Sequence, residues 1–119
     1  MNIETTKDSK FILLQVKEPN LTAVYAPALK AELLLLSKEK QNIILDLSEL
    51  NYIDSAGLSC LLIADRLCKE NKKIAVICNF NDKIENLINL TKLDNVLTLV
   101  NSTTEAKDYI LMNELEKEF

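Results

Sequence analysis

The sequence predicts an α/β fold: a mixed, mostly parallel sheet with an N-terminal hairpin and about four helices packed on it. Three observations carry that expectation. Apolar stretches of strand length alternate with longer stretches of helical period along most of the chain. Two of the short stretches, residues 43–47 and 74–78, are apolar almost throughout, the pattern of strands covered on both faces. Two further strand-like runs, residues 3–6 and 11–16, flank the polar stretch 7–10 and read as a hairpin.

The elements follow in order. Pro19 and Asn20 break the second strand. Pro27 fits only the first turn of a helix, so the next helix starts within residues 24–26 and runs to about Lys40. Leu29, Leu33 and Leu36 form its apolar stripe, widened by Leu34 and Leu35, while Lys30, Glu32, Lys38 and Glu39 stay in water. After the strand at 43–47, Asp54-Ser55-Ala56-Gly57 opens a long helix reaching about Asn71. Leu58, Leu61, Leu62 and Cys68 share one of its faces, with Ala64 and Leu67 beside them. Beyond the strand at 74–78, Asn81 or Asp82 caps a helix carrying Ile84, Leu87, Ile88 and Leu90. Residues 96–100 read as a last strand. Ser102-Thr103-Thr104-Glu105 then has capping-box spacing before a helix with Ala106, Tyr109, Ile110 and Leu115. With no linker, repeat or low-complexity segment, residues 1–119 are expected to form a single domain.

Composition removes several function classes. The formal net charge is −4, and Lys72-Lys73 is the one adjacent basic pair, so no nucleic-acid partner is expected. The run Leu33-Leu34-Leu35-Leu36 is far too short to insert in a membrane. Asn2, Glu4, Lys7 and Asp8 interrupt any signal-like stretch, and a cytoplasmic location is expected. Cys60, Cys68 and Cys78 form no CxxC pair and sit in apolar stretches, where they read as small core residues. Histidine is absent, which removes the commonest general base and metal ligand. No glycine-rich phosphate loop and no metal-spaced ligand set is present, so no cofactor and no metal are expected.

The informative segment is Asp54-Ser55-Ala56-Gly57-Leu58, which contains the chain's single glycine. It joins a strand region to the start of the longest helix, at the end of an α/β sheet where ligands and partners collect. Asp54 or Ser55 can accept from the unpaired first N–H groups of that helix. Gly57 either lets a partner's backbone or a phosphate come close, or merely relieves crowding inside the fold.

The stretch Ile44-Leu45-Asp46-Leu47-Ser48, followed by Tyr52-Ile53-Asp54-Ser55-Ala56-Gly57-Leu58, resembles the signature of the STAS domain, the fold of bacterial anti-sigma factor antagonists. The resemblance implies a protein-binding module, not an enzyme, that docks on an anti-sigma factor and frees the sigma factor held there. Such anti-sigma factors are often serine kinases, and they phosphorylate the hydroxyl residue just before the motif glycine. Here that position is Ala56, which has no hydroxyl. Ser55 and Ser59 flank it, and Ser55 is the one possible substitute acceptor. Where the family often has an aspartate near the kinase contact, Glu18-Pro19-Asn20 places Asn20. The resemblance thus assigns partner binding to Asn20, Thr22, Asp54, Ser55, Ala56, Gly57, Leu58 and Ser59, in a chain that is a monomer when free.

Other classes fit less well. A two-component receiver domain needs an acidic pair after its first strand and a lysine after its last. Here those places read Val16-Lys17-Glu18-Pro19 and Asn101-Ser102. A serine or cysteine nucleophile would lack its usual base. Within the same fold, a STAS subunit of a transport or stress-signalling assembly fits the sequence as well as a free antagonist does.

Overall fold

A computed structural model describes residues 1–118. Strands β1 (Ile3–Lys7) and β2 (Phe11–Val16) form the expected antiparallel hairpin, with Ile3 opposite Val16 and Lys7 opposite Ile12. The sheet continues through β4 (Asn42–Asp46), β6 (Ala75–Cys78) and β7 (Thr98–Leu99), all parallel, in the order β1-β2-β4-β6-β7. Four α-helices cover it: α1 (Ala26–Ser37), α2 (Ser55–Glu70), α3 (Asp82–Leu90) and α4 (Thr103–Glu116). This is the mixed, mostly parallel sheet with four helices that the sequence predicts.

The alternation of the central strands decides which helix goes where. Ile43 and Leu45 of β4 and Ala75 and Ile77 of β6 join one core cluster with residues of α1, α2 and α3. Ile44, Val76 and Cys78 point the other way and pack with Ala106 and Ile110 of α4. Both faces of β4 and β6 are therefore dry, which is why their sequences show no alternation. All three cysteines are buried and free, and burial pushes the Cys68 thiol up to about 12 and the Cys78 thiol to about 11. They serve as the core residues the sequence makes them.

Caps set the helix boundaries. Asn81 Oδ1 accepts from the Ile84 N–H at 2.9 Å, and Ser102 Oγ accepts from the Glu105 N–H at 3.1 Å. Glu105 reaches back, but to the Asn101 N–H at 3.3 Å, one residue before the cap. The α1 helix stops at Ser37, short of the expected Lys40, because Lys38, Glu39 and Lys40 donate three residues back in a tightening turn. Lys40 then takes φ 52° and redirects the chain into β4. Leu34 and Leu35 face solvent, so the apolar stripe of α1 is the narrow one of Leu29, Leu33 and Leu36. The last strand is also shorter than expected: Val96 and Leu97 donate back to the Leu93 carbonyl of a 3₁₀ turn (Leu93–Asn95) at 3.0 and 2.8 Å, leaving Thr98–Leu99.

Two short strands escaped the sequence entirely. β3 (Asn20–Leu21) and β5 (Tyr52–Ile53) pair in parallel as a separate ribbon. Both fall in stretches with no strand periodicity, and only their pairing defines them.

On the opposite end of the sheet, Asn42 at the start of β4 is fully buried and fully used. Its Nδ2 donates to the Lys10 carbonyl and to Glu114 Oε1, both at 2.8 Å, and its Oδ1 accepts from the Ile74 N–H at 3.0 Å. Lys73 Nζ lies 3.1 Å from the same Glu114 oxygen. One side chain thereby ties β4 to the hairpin turn, to the start of β6 and to α4. Replacing Asn42 with Ala strips the Lys10 carbonyl and the Ile74 N–H of this partner, leaves Glu114 with Lys73 and Lys117 alone, and is expected to cost about 3 kcal/mol in urea denaturation. A loss below about 1 kcal/mol would mean that this junction does not hold α4 on the sheet.

Candidate functional site

The small β3–β5 ribbon builds the site. The Pro19 carbonyl accepts from the N–H groups of Asn51 and Tyr52 at 2.7 and 3.2 Å, and the Leu21 carbonyl accepts from Asp54 N–H at 3.2 Å. These bonds lay the segment after β2 alongside the segment before α2. Asn20 and Thr22 are thus brought to the start of the Ser55–Glu70 helix, although more than thirty positions separate them in sequence.

Asp54 locks the arrangement. Its backbone is extended, and its Oδ1 accepts from the Gly57 N–H at 3.0 Å as the N-cap of α2. Its Oδ2 accepts from the Ala23 N–H at 3.1 Å, in the turn leading to α1. A single carboxylate therefore fixes two helix approaches to each other. The turn is further closed by the Thr22 carbonyl, which accepts from Tyr25 and Ala26 at 3.0 and 2.8 Å. Val24, at the tip, is 79 % exposed. This protruding side chain gives no signal in the sequence, where it reads only as a helix start.

Gly57 does not leave room for a partner. It is buried, and a Cβ placed on it would run into Ile53 Cγ1 and come within 2.5 Å of the Leu21 carbonyl oxygen. Of the two readings the sequence leaves open, this geometry favours relief of crowding over the close approach of a partner: the missing side chain lets α2 sit against the β3–β5 ribbon. Leu58 is likewise buried among the core side chains. The residues that do reach solvent are Asn20 and Ser55, with Asp54, Thr22, Ala56 and Ser59 half-buried. Ala56 rests its methyl group on the core. Of the sequence-predicted set, Gly57 and Leu58 support the surface from below and the other six form or border it.

A second carboxylate positions the approach to this site from the sheet. Asp46, buried at the end of β4, accepts from Gln15 Nε2 at 2.9 Å, from the Ser48 N–H at 3.0 Å and from Asn79 Nδ2 at 3.0 Å. Asn79 takes φ 60° and also donates to Thr103 Oγ1 at 2.9 Å. Burial alone would push the Asp46 carboxyl up, but the bonds from Gln15, Asn79 and Ser48 outweigh it and hold the group below its ordinary 3.8. The bond to Ser48 starts the turn that delivers Leu50 to the core and Tyr52 to the ribbon.

A family model described as STAS domain matches residues 2–106. The chain belongs to the STAS domain family. Solved structures agree on the fold. An anti-sigma factor antagonist from Mycobacterium paratuberculosis is 21 % identical, with a TM-score of 0.80, covering 92 % of each chain. The phosphorylated form of the Bacillus cell fate determinant SpoIIAA is 13 % identical with a TM-score of 0.70, covering 92 % of this chain and 99 % of that one. A sulfate transporter family protein from Wolinella succinogenes is 16 % identical with a TM-score of 0.76, covering 90 % and 89 %. No helix among the described residues is long and apolar enough to cross a membrane.

In this STAS domain the glycine that marks the family signature is a packing device, and stability is where its loss should register. Alanine in a helix interior normally gains about 1 kcal/mol over glycine. In Gly57→Ala that gain is set against a backbone oxygen that is held by Asp54 and cannot retreat. We expect a net loss of about 1–3 kcal/mol by thermal or urea denaturation; a neutral or stabilising result would mean the ribbon gives way easily. The Asp46 network makes a pH-dependent prediction. Its folded-state carboxyl titrates below the unfolded value, so its contribution is complete above the ordinary 3.8 and disappears as pH falls through the lowered value. The stability gap between wild type and Asp46→Asn should therefore be largest near pH 7 and narrow toward about pH 3. An equal gap at both would show that charge plays no part.

Proposed function

We propose that this STAS domain is an anti-sigma factor antagonist-like binding module that docks on an anti-sigma factor of the serine-kinase class and so governs release of a sigma factor. The observation that carries the reading is the surface at the start of α2. There a carboxylate-locked junction presents Ser55, Asn20 and the projecting Val24 on a rigid frame. A preformed surface loses little entropy on binding, which suits a protein partner. The family match and the likeness to antagonist structures support the same reading. The module carries out no catalysis, works in the cytoplasm and is a monomer when free.

Ala56 gives this module its particular character. It occupies the place of the family's phosphate acceptor, and a methyl group accepts no phosphate. Phosphate at a helix start is tolerated by the helix itself, since free N–H groups and the dipole favour an anion there. The family's switch therefore acts by spoiling the partner's contact with about −1.5 to −2 of added charge, not by unfolding the antagonist. With Ala56 in place the module stays in its binding form and is controlled by its abundance or by another subunit.

A second reading keeps the fold and changes the setting: a STAS subunit of a transport or stress-signalling assembly. The likeness to the sulfate transporter family protein favours it. Incubating wild type and Ala56→Ser with the anti-sigma kinase of the same host and ATP, then mapping phosphate by mass spectrometry, tests the first reading. Phosphate is expected only on residue 56 of the variant, with wild type bound equally well with or without ATP. Stoichiometric phosphate on Ser55 or Ser59 of wild type would overturn constitutive binding. Absence of any complex with the kinase would favour the assembly subunit.

A further inference from the structure

Beside the α2 start, on the other side of β5, lies a groove of about 350 Å³ whose lining includes Tyr52, Ile53, Lys83, Ile84, Leu87 and Leu90. Its floor is Ile53 and Ile84, each 1 % exposed, and its rim is Tyr52 and Leu90, 54 % and 80 % exposed. What sets these two exposed side chains apart from the others on this molecule is that they flank an apolar floor and so form one continuous concave apolar surface. We infer that this groove receives an amphipathic helix of a protein partner whose end nearest Lys83 carries a carboxylate. The inference rests on the protein-binding reading above and adds a second contact region to it.

The dimensions favour a helix. The α3 wall runs from Lys83 to Leu90, a rise of about 10 Å of helix, which matches two turns of a partner helix. Apolar side chains at i, i+3 or i+4 and i+7 of such a helix would meet Leu90, Leu87 and Ile84 in turn. A small amphiphile fits less well. The groove has two walls, the β5 segment and α3, and no roof, so it could not enclose most of a free ligand. A helix needs only one face buried.

The charge favours an acidic helix. Lys83 is the one charged side chain among the lining residues and forms no ion pair among the described residues, in a chain of net charge −4. The groove is also fixed in shape. Asn81 caps α3 with its oxygen while its Nδ2 donates to the Leu50 and Asn51 carbonyls at 3.3 and 3.1 Å, bolting one wall to the other. It is continuous with the α2 site as well, since Tyr52 and Ile53 lead directly into Asp54.

The test needs no knowledge of the natural partner. A stapled helical peptide with leucines at i, i+4 and i+7 and a glutamate one turn beyond is titrated into the ¹⁵N-labelled full chain. A second peptide replaces the glutamate with lysine. Shift changes are expected at Tyr52, Ile53, Leu87 and Leu90, with Tyr109 and Met112 on α4 unmoved. The acidic peptide should bind about fivefold or more tighter than the basic one, and Lys83→Glu should reverse that order. Leu90→Asp should weaken both by about tenfold while leaving the melting temperature unchanged, because that side chain is already in water. Equal affinity for the two peptides, shifts centred on α4, or no binding by either would overturn the inference. None of these outcomes involves a kinase, ATP or residue 56, so failure here leaves the reading of the α2 start intact, and absence of any complex with the anti-sigma kinase would remove that reading without touching the groove.

Discussion

The close seating of α2 on the β3–β5 ribbon is the constraint from which the functional end of the molecule follows. It requires two things at once. The third residue of α2 must have no Cβ, because Ile53 and the Leu21 carbonyl occupy the space where one would be. The residue before the helix must have two acceptor atoms, because Asp54 closes the helix start with one oxygen and the Ala23 turn with the other. Asparagine could cap the helix equally well, but its amide nitrogen would meet the second N–H with a donor. The pair Asp54 and Gly57 is thus a single structural unit, and the exposed residues around it take their positions from that unit.

Polar groups inside this fold do the work of alignment that its apolar residues leave undone. Leucine and isoleucine drive the helices onto the sheet without specifying where along it they stop. Asp46 and Asn42 sit at opposite ends of β4, and both have every bond satisfied. The first sets the turn toward β5, the second the position of α4. Helix α4 needs such a fastening, because Tyr109, Leu111, Met112 and Leu115 face solvent while Ala106 and Ile110 are its fully buried apolar contacts. Burial of apolar area alone would hold its orientation poorly; the Asn42–Glu114–Lys73 junction supplies what the pattern lacks.

These same residues mark the limit of what the sequence reveals. Residues 43–47 and 74–78 were legible because burial on both faces leaves a continuous apolar run, and the caps at Asn81 and Ser102 because capping is local chemistry. The β3–β5 ribbon was not legible, since two-residue strands carry no period and exist only by pairing across thirty positions. Gly57 could be located but not interpreted: room for a partner and room for a neighbouring strand ask for the same residue. The four consecutive leucines at 33–36 suggested a broad buried stripe, yet a helix of twelve residues turns Leu34 and Leu35 into water. The groove beside α3 was invisible for a related reason. Leu90 looks like a core position until the fold places a short ribbon, and not another helix, across from it, and Leu87 is covered by the core on one side alone.

The division between frame and surface makes residue 56 free to be alanine or serine without consequence for the fold. Asp54 and Gly57 are fixed by two hydrogen bonds and by close packing, whereas Ala56 lies at the second helical position, half-buried, with its methyl on the core. Alanine is the best helix former and leaves no polar atom to satisfy there. A serine at this place would add one oxygen beside N–H groups of the first turn that have no helical partner, so the two residues differ little in folding free energy. Folding is therefore nearly indifferent to whether residue 56 is alanine or serine. Exchange of alanine and serine at this position leaves the surface, the clamp beneath it and the adjoining groove unchanged.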